Sequence, residues 1–236
     1  MPIWSPRACS QCSMIISMFK QKIDKSTIDK STIDKSGFDR SNVDLSKVIA
    51  ITNRKLCADD FYARLARIAA QGPRAIVLRE KDLAAPEYEQ LARDVMGIGR
   101  QYGVPVILHG QAEVAARLRA DGLQLPLPKL RQLSAKVRSG WQVLGTSCHS
   151  LAEVAEAQRL GCSYLVAGHI YETDCKKGLP GRGLDFLQAA CQAAKIPVYA
   201  IGGITPDRLA EVMAAGAAGA CVMSGLMRGK YWLYKK

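Results

Sequence analysis

Short apolar runs that alternate with amphipathic stretches of helical length constrain the fold of this chain more than any other feature. The alternation starts abruptly at Val48 and continues to about residue 224. The runs are rich in branched residues, as buried parallel strands are, and the stretches between them are long enough for helices that cross back over a sheet. The runs are Val48 to Thr52, Ala75 to Glu80, Val106 to His109, Leu123 to Leu125, Val143 to Ser147, Tyr164 to His169, Val198 to Ile201 and Ala220 to Ser224.

Eight strands with their crossings predict an α/β protein, a closed (β/α)8 TIM barrel over residues 48–236. The alternative is a doubly wound open sheet, which usually stops at about five or six strands and carries a Gly-rich turn after the first. Here the first run is followed by Thr52-Asn53-Arg54-Lys55, without a glycine. The chain has 236 residues, of which 48% are apolar, enough for one sizeable core.

Residues 1–47 differ from the rest of the chain. From Ile23 onward a five-residue unit is repeated five times, as IDKST, IDKST, IDKSG, FDRSN and VDLSK. Wound as a right-handed β-helix, these units make little more than one coil, and solenoids need several stacked coils to bury a core. We therefore expect a disordered or loosely docked extension, to which the sequence assigns no function.

Charge and hydropathy exclude several classes of partner. The formal net charge is +12, but the basic residues are scattered rather than clustered, so we expect no nucleic-acid binding. No apolar stretch reaches the length of about 18 residues that a membrane span requires. We expect a cytoplasmic protein with no membrane partner.

Cysteine spacing indicates neither a disulfide framework nor a metal site. Most of the eight cysteines lie inside apolar patterns of a large chain, where reduced thiols are expected. Cys9 and Cys12 have CxxC spacing, but no second pair and no histidine lies nearby in the sequence.

Glycines late in the barrel predict a phosphate site. Gly202 and Gly203 follow the seventh strand, and their missing side chains let backbone amides approach an anion. Thr205 is expected to cap the next helix and Pro206 to take its first position, so that the helix dipole favours a phosphate. The second half of the site is expected from the turn after the eighth strand, Met223-Ser224-Gly225.

These residues and several longer motifs resemble the thiamine phosphate synthase superfamily from about Val48 to Leu226. The shared motifs are LREKD (78–82), ADG (120–122), AIGGI (200–204) and VMSG (222–225). Within the superfamily, GHIYETDCKKGLPGRG (168–183) and SCHSLAE (147–153) are similar to the thiazole tautomerase branch, TenI.

The chain departs from the synthase pattern at the metal. In the synthase, an Asn-Asp pair after strand three and an acidic residue after strand four hold the Mg²⁺ that neutralises the diphosphate of the pyrimidine substrate. This chain has His109-Gly110 and Lys129 at those positions. Mg²⁺ prefers oxygen ligands, so we expect no metal and no other cofactor. Synthase activity is therefore the alternative expectation, together with a noncatalytic regulator that binds thiazole phosphate or thiamine phosphate.

The resemblance to the TenI branch implies an isomerase. Its members aromatise a thiazole carboxylate phosphate by moving a proton, so the expected partner is a phosphorylated thiazole. His169 stands where the synthase has proline, and we expect it to be the catalytic proton carrier because the ordinary pKa of histidine is about 6.5. A lone histidine is more often structural, but His169 follows the sixth strand, where such barrels keep their chemistry.

The remaining site residues are expected to bind substrate. Arg79 and Lys81 match synthase positions that grip the diphosphate, and here they are expected to hold the substrate carboxylate or to keep the pocket positive. His149 is expected at the surface. The other expected substrate-binding residues are His109, Ser147, Thr173, Cys175, Lys176, Gly202, Gly203, Met223 and Ser224.

The sequence after Met227 leaves room for only a short eighth helix, and in a barrel that helix covers the seam between strands eight and one. An uncovered seam exposes apolar surface. Either the seam is exposed, or the first 47 residues or a second subunit cover it, the latter as a homodimer.

Overall fold

The computed structural model of the chain describes residues 44–176, 178–229 and 232. Eight parallel strands form a closed barrel in which each strand pairs with the next and the eighth strand pairs with the first. This confirms the predicted TIM barrel, and every strand begins and ends within two residues of its predicted limits. The strands are β1 (Val48–Ile51), β2 (Ala75–Leu78), β3 (Val106–His109), β4 (Gly122–Pro126), β5 (Leu144–Cys148), β6 (Tyr164–Gly168), β7 (Val198–Ile201) and β8 (Gly219–Val222).

In the described part of the chain, α-helices connect the carboxyl end of each strand to the amino end of the next. None of the helices there is long and apolar enough to cross a membrane. Short 3-10 helices span Leu45–Lys47, Arg54–Leu56, Asp174–Lys176 and Pro206–Arg208. The α-helices are α1 (Phe61–Ala69), α2 (Ala85–Tyr102), α3 (Ala112–Leu118), α4 (Leu127–Gln132), α5 (Ala135–Ser139), α6 (Leu151–Arg159), α7 (Gly183–Ala193), α8 (Leu209–Ala214) and α9 (Ser224–Met227).

Local sequence signals set the limits of these helices. Asp60 caps α1 by accepting a hydrogen bond from the Ala63 amide at 2.8 Å, and Ser150 caps α6. The long α2 has a proline in its first turn and ends at Gly103, whose φ of +68° suits glycine. The apolar faces of the helices pack on strands that are almost completely buried.

The interior of the barrel holds a few buried polar groups, each with a partner. The Tyr164 hydroxyl donates to Gln124 Oε1 at 2.9 Å, and Thr146 Oγ1 donates to the Leu125 carbonyl at 2.7 Å. Gly145 makes room for the tyrosine, because a Cβ there would lie 2.1 Å from the Tyr164 ring. These bonds satisfy polar atoms that would otherwise destabilise the core.

Both ends of the described chain pack on the barrel. The 3-10 helix Leu45–Lys47 leads directly into β1, and Leu45 is buried, so the last residues of the predicted extension belong to the barrel. The rest of the repeats and the Cys9–Cys12 pair lie outside the described residues.

The seam beside β8 is also covered, in a way that the sequence did not indicate. The last helix, α9, has four residues, as short as predicted. Met227 and Trp232 are nevertheless buried. A Cβ at Gly225 would lie 2.5 Å from the Trp232 ring, so the indole packs on the backbone of α9. Of the alternatives left open by the sequence, the exposed seam is therefore not what the described residues show, because Trp232 covers it.

Candidate functional site

The predicted site residues all lie at or just after the carboxyl ends of strands, which meet at one rim of the barrel. Arg79 and Lys81 follow β2, His109 ends β3, and Ser147 lies near the end of β5. The loop after β6 carries the expected residues His169, Thr173, Cys175 and Lys176, and the turns after β7 and β8 carry Gly202, Gly203, Met223 and Ser224. The topology therefore brings them to the end of the barrel where such folds hold their active sites.

A buried carboxylate fixes the end of β2. Glu80 accepts a hydrogen bond from Thr52 Oγ1 at 2.7 Å and from the Arg54 amide at 3.0 Å. The same threonine oxygen accepts the Arg79 amide at 2.9 Å. The Arg79 side chain reaches the β8 turn, where Nη1 lies 4.0 Å from Met223 Sδ. Arg79 thus connects the β2 end with the second half of the predicted phosphate site.

The two acidic residues of the 78–82 motif, Glu80 and Asp82, bind partners outside the motif and not its cations Arg79 and Lys81. Arg54 donates to Asp82 at 2.7 and 2.8 Å, and Lys55 Nζ lies 2.9 Å from the same carboxylate. These bonds hold the pKa of Asp82 well below its usual range. Within the described residues, neither Arg79 nor Lys81 has a carboxylate partner.

Four cations from three loops form a positive cluster at this rim. The pKa of Lys81 is lowered chiefly by the charge of Arg79, and further by partial burial and by the charges of Lys176 and Lys129. Positive charges that act on one another in this way favour the binding of a multivalent anion. The cluster defined by Arg79, Lys81, Lys129 and Lys176 is called the cation cluster below.

His109 is a neutral member of the same region. Its amide donates to the Tyr88 hydroxyl at 3.0 Å, and that hydroxyl donates to the Leu78 carbonyl at 2.6 Å. Burial lowers the pKa of His109 to about 4, helped by the charges of Arg79 and Lys81. At neutral pH its imidazole is therefore uncharged.

The residues at the positions where the synthase holds magnesium, His109, Gly110 and Lys129, do not suit a magnesium ion. Lys129 Nζ donates to the Gly110 carbonyl at 3.2 Å, so an ammonium group joins the ends of β3 and β4. His109 and Gly110 supply no carboxylate. Among the described residues no group of three or more histidine, cysteine, aspartate or glutamate side chains is placed to hold a metal ion. Mg²⁺ is bound by carboxylate oxygens and water, and this donor set lacks the former.

Hydrogen bonds tie the β6 loop together. His169 Nε2 donates to the Leu179 carbonyl at 3.2 Å, because a carbonyl only accepts. The Lys176 amide donates to the Thr173 carbonyl at 2.9 Å, closing the 3-10 helix that presents Cys175 and Lys176 to solvent. One imidazole nitrogen of His169 is thus already engaged with the protein backbone.

His149 has a role that the sequence did not indicate. Its ring lies at the end of β5, and Nδ1 donates to the Gly168 carbonyl at 2.6 Å. The residue is exposed, as expected, but the hydrogen bond links the ends of β5 and β6 next to His169.

The turn after β7 packs directly on the β6 loop. Gly202 has a φ of +99° and Gly203 a φ of +64°, which only glycine adopts easily. A Cβ at Gly202 would lie 2.4 Å from His169 Cβ, and one at Gly203 would lie 2.4 Å from the Glu172 carbonyl oxygen. Both glycines are therefore required by backbone conformation and by close approach.

This turn presents backbone amides that suit an anion. Among the described residues, the Gly203 and Ile204 amides have no hydrogen-bond acceptor in the protein. Thr205 precedes the 3-10 helix Pro206–Arg208, but its side chain makes no capping hydrogen bond, contrary to the prediction. A 3-10 turn rather than an α-helix thus follows the glycines.

Arg208 is a further cation at this turn. Its Nη1 donates to the Gly203 carbonyl at 2.8 Å, and its guanidinium lies 4.4 Å from the centre of the Tyr171 ring. Sequence reasoning missed it because arginine after a Thr-Pro pair is equally typical of a solvated helix surface. Its position five residues after a Gly-Gly turn was the available signal.

Comparison with known proteins agrees with this geometry. A family model described as thiamine monophosphate synthase matches residues 48–226. The thiamine-phosphate synthase of Clostridium acetobutylicum is 32% identical over 187 residues, which cover 77% of this chain and 87% of the relative. That of Moorella thermoacetica is 38% identical over 165 residues, covering 67% and 76%. The solved structure of thiamine phosphate pyrophosphorylase from Pyrococcus furiosus superposes with a TM-score of 0.69 at 28% identity, covering 80% of this chain and 91% of that one.

These matches overturn the expectation of a thiazole tautomerase. The relatives are named thiamine-phosphate synthases, which are transferases and not isomerases. The local resemblance around His169 had favoured the TenI branch, whereas the similarity over the whole barrel favours the synthase that was the alternative expectation.

Proposed function

The chain belongs to the thiamine monophosphate synthase family, and from this premise we propose that it is a transferase that joins a thiazole phosphate to hydroxymethylpyrimidine diphosphate. One observation carries the proposal beyond family membership. The rim holds two separate places for anions, the cation cluster and the glycine turn with its unpaired amides. A reaction between two phosphorylated substrates needs both.

The chemistry follows from the two substrates. The thiazole ring nitrogen forms a bond to the methylene carbon of the pyrimidine, and the bond from that carbon to the diphosphate oxygen breaks. The electron pair of the broken bond leaves with the diphosphate. Negative charge therefore grows on the leaving group, and fixed cations near it stabilise the transition state more than the ground state.

Each of the two candidate anion sites, the glycine turn and the cation cluster, suits one substrate. The single phosphate of the thiazole suits the glycine turn, where Gly203 and Ile204 offer backbone amides and Arg208 adds positive charge. The diphosphate suits the cation cluster, where, among the residues that the structure describes, Arg79 and Lys81 have no carboxylate partner. The contact of Arg79 Nη1 with Met223 Sδ, at 4.0 Å, supports a diphosphate site that extends towards the β8 turn.

His169 takes a different role in this reaction. A displacement by a neutral ring nitrogen requires no group that removes and returns a proton. His169 is therefore not needed as a proton carrier in the transfer reaction. The bond from Nε2 to the Leu179 carbonyl and the packing of Gly202 on its Cβ suit a positioning residue. No covalent intermediate is needed either, so Cys175 is not required as a nucleophile.

The test is the formation of thiamine phosphate from the two substrates, followed by mass spectrometry. We expect product from the intact protein and a kcat/KM about 10- to 100-fold lower for Arg79→Gln, since charge-assisted hydrogen bonds contribute about 1.5–3 kcal/mol. Arg100→Gln is the matched control, because Arg100 is exposed near the end of α2, towards the opposite rim. A folded protein that binds phosphate but forms no product, with or without Mg²⁺, would contradict the proposal.

A further inference from the structure

Lys129 lies between the two strand ends where the resemblance places metal ligands. It belongs to the first turn of α4, directly after β4. Its side chain turns toward the neighbouring β3 end, and Nζ donates to the Gly110 carbonyl at 3.2 Å. One cationic group therefore bridges the two loops from which a synthase is expected to hold its ion.

The Lys129 ammonium has capacity left for an anion. A lysine ammonium carries three N–H groups, and the contact with Gly110 uses one. In the described part of the chain Lys129 has no ion pair. The nearest acidic side chains of the β2 end, Glu80 and Asp82, bind Thr52, Arg54 and Lys55 instead.

Lys129 also acts on the same region as the other cations. Its charge contributes to the lowered pKa of both Lys81 and His109. A divalent ion at this place would be repelled by the positive charges of the cation cluster, which is unfavourable. A diphosphate at the same place would meet complementary charge.

We propose that Lys129 takes the place of the divalent metal ion at the diphosphate site, so that this transferase neutralises its leaving group with side chains alone. The inference rests on the proposed function. It departs from the expected synthase pattern in making diphosphate binding independent of a metal ion and dependent on Lys129.

Two measurements test it on the full chain in the presence of EDTA. Calorimetry measures the affinity for inorganic diphosphate, and mass spectrometry measures thiamine phosphate formation before and after Mg²⁺ is added in excess. The variants are Lys129→Gln, Lys129→Arg and the matched control Lys195→Gln. Lys195 is also exposed and lies in the loop that enters β7, at the opposite rim.

The expected result is activity that survives EDTA and does not rise with Mg²⁺. Lys129→Gln should weaken diphosphate binding roughly 10- to 100-fold, as the loss of a charge-assisted contact does. Lys129→Arg keeps the positive charge and should retain most of the affinity, which shows that the charge rather than the lysine side chain itself is needed. Lys195→Gln should stay within about twofold of the intact protein.

Other outcomes distinguish a failure of the Lys129 inference from a failure of the proposed transferase activity. Activity that is lost in EDTA and restored by Mg²⁺ would overturn the inference and leave the proposed function standing. Diphosphate binding that depends on Lys129 in EDTA, with no product under either condition, would support the site and overturn the proposed function. Binding that is the same in Lys129→Gln and Lys195→Gln would overturn the inference whatever the activity.

Discussion

A methyl group added at Gly203 tests how tightly the β7 turn packs on the β6 loop. At Gly203 the φ is +64°, and a Cβ would lie 2.4 Å from the Glu172 carbonyl oxygen and 2.7 Å from Tyr171 Cβ. Gly72 provides a close match, with a φ of +66° and no atom within 4 Å of the same Cβ. Alanine at the two positions therefore shares the backbone strain and differs in the steric contact.

The magnitudes of the two effects can be separated. Left-handed backbone costs a residue with a side chain about 1–2 kcal/mol, so Gly72→Ala should lower the free energy of unfolding by about that amount. Overpacking adds about 1–3 kcal/mol, and at Gly203 the obstacles are backbone or Cβ atoms that cannot rotate away. Gly203→Ala should therefore lower the free energy of unfolding by about 2–5 kcal/mol.

Urea unfolding monitored by circular dichroism gives the two free energies, and calorimetry gives the affinity for inorganic phosphate. We expect Gly203→Ala to be the less stable variant and to bind phosphate more weakly, while Gly72→Ala binds it like the intact protein. Gly72 lies in the loop that enters β2, on the opposite rim. Equal destabilisation by the two substitutions would refute the close packing of the β7 turn, and unchanged phosphate binding in Gly203→Ala would refute its role as an anion site.

Two further predictions concern buried groups. Burial and neighbouring cations lower the pKa of His109 to about 4, against about 6.5 in an unfolded chain. The unfolded chain thus binds more protons between these values, and stability falls as the pH drops from 6.5 toward 4. The free energy of unfolding of the intact protein should therefore decrease between pH 7 and pH 5, and His109→Asn should reduce that decrease by up to about 2 kcal/mol. Urea unfolding at the two pH values measures this, and the same pH dependence in variant and intact protein would contradict it. Tyr164→Phe leaves Gln124 Oε1 without its donor and should lower the free energy of unfolding by about 1–3 kcal/mol. The control Tyr102→Phe, at the surface, should change it very little. Equal effects of the two substitutions would count against the buried hydrogen bond.

The barrel was predictable because its strands are buried on both faces. Runs such as Ala75 to Glu80 and Tyr164 to His169 stand out against the amphipathic helices on either side, and their number and spacing leave few topologies. The same argument placed the site, since residues that follow parallel strands share a rim. Gly202 and Gly203 were recognisable as a special turn because two consecutive glycines follow a strand, and their positive φ values agree with that reading.

Contacts between distant loops were not predictable. Nothing in the sequence shows that Lys129 reaches the Gly110 carbonyl or that Arg208 binds the Gly203 carbonyl. Both are surface-type residues on short helices, and only the closure of the barrel decides what their long side chains meet. Trp232, which covers the seam beside β8, is a similar case.

The function was misjudged because a local motif outweighed the whole barrel. The segment around His169 suggested the TenI branch, but the partners of the imidazole ring, which decide what a histidine does, are not visible in a motif. The Leu179 carbonyl is such a partner, and it lies ten residues further along the chain. The disordered extension, the homodimer, the cytoplasmic location and the lack of nucleic-acid binding remain predictions.

Phosphorus NMR of one reaction mixture tests the proposed transfer most directly. The mixture holds the intact protein, thiazole phosphate and hydroxymethylpyrimidine diphosphate, and the spectra follow the diphosphate ester and free diphosphate with time. The proposed transferase releases one diphosphate for each thiamine phosphate formed, and only when both substrates are present. A diphosphate ester that persists beside folded protein, whether EDTA or Mg²⁺ is added, would contradict the transferase.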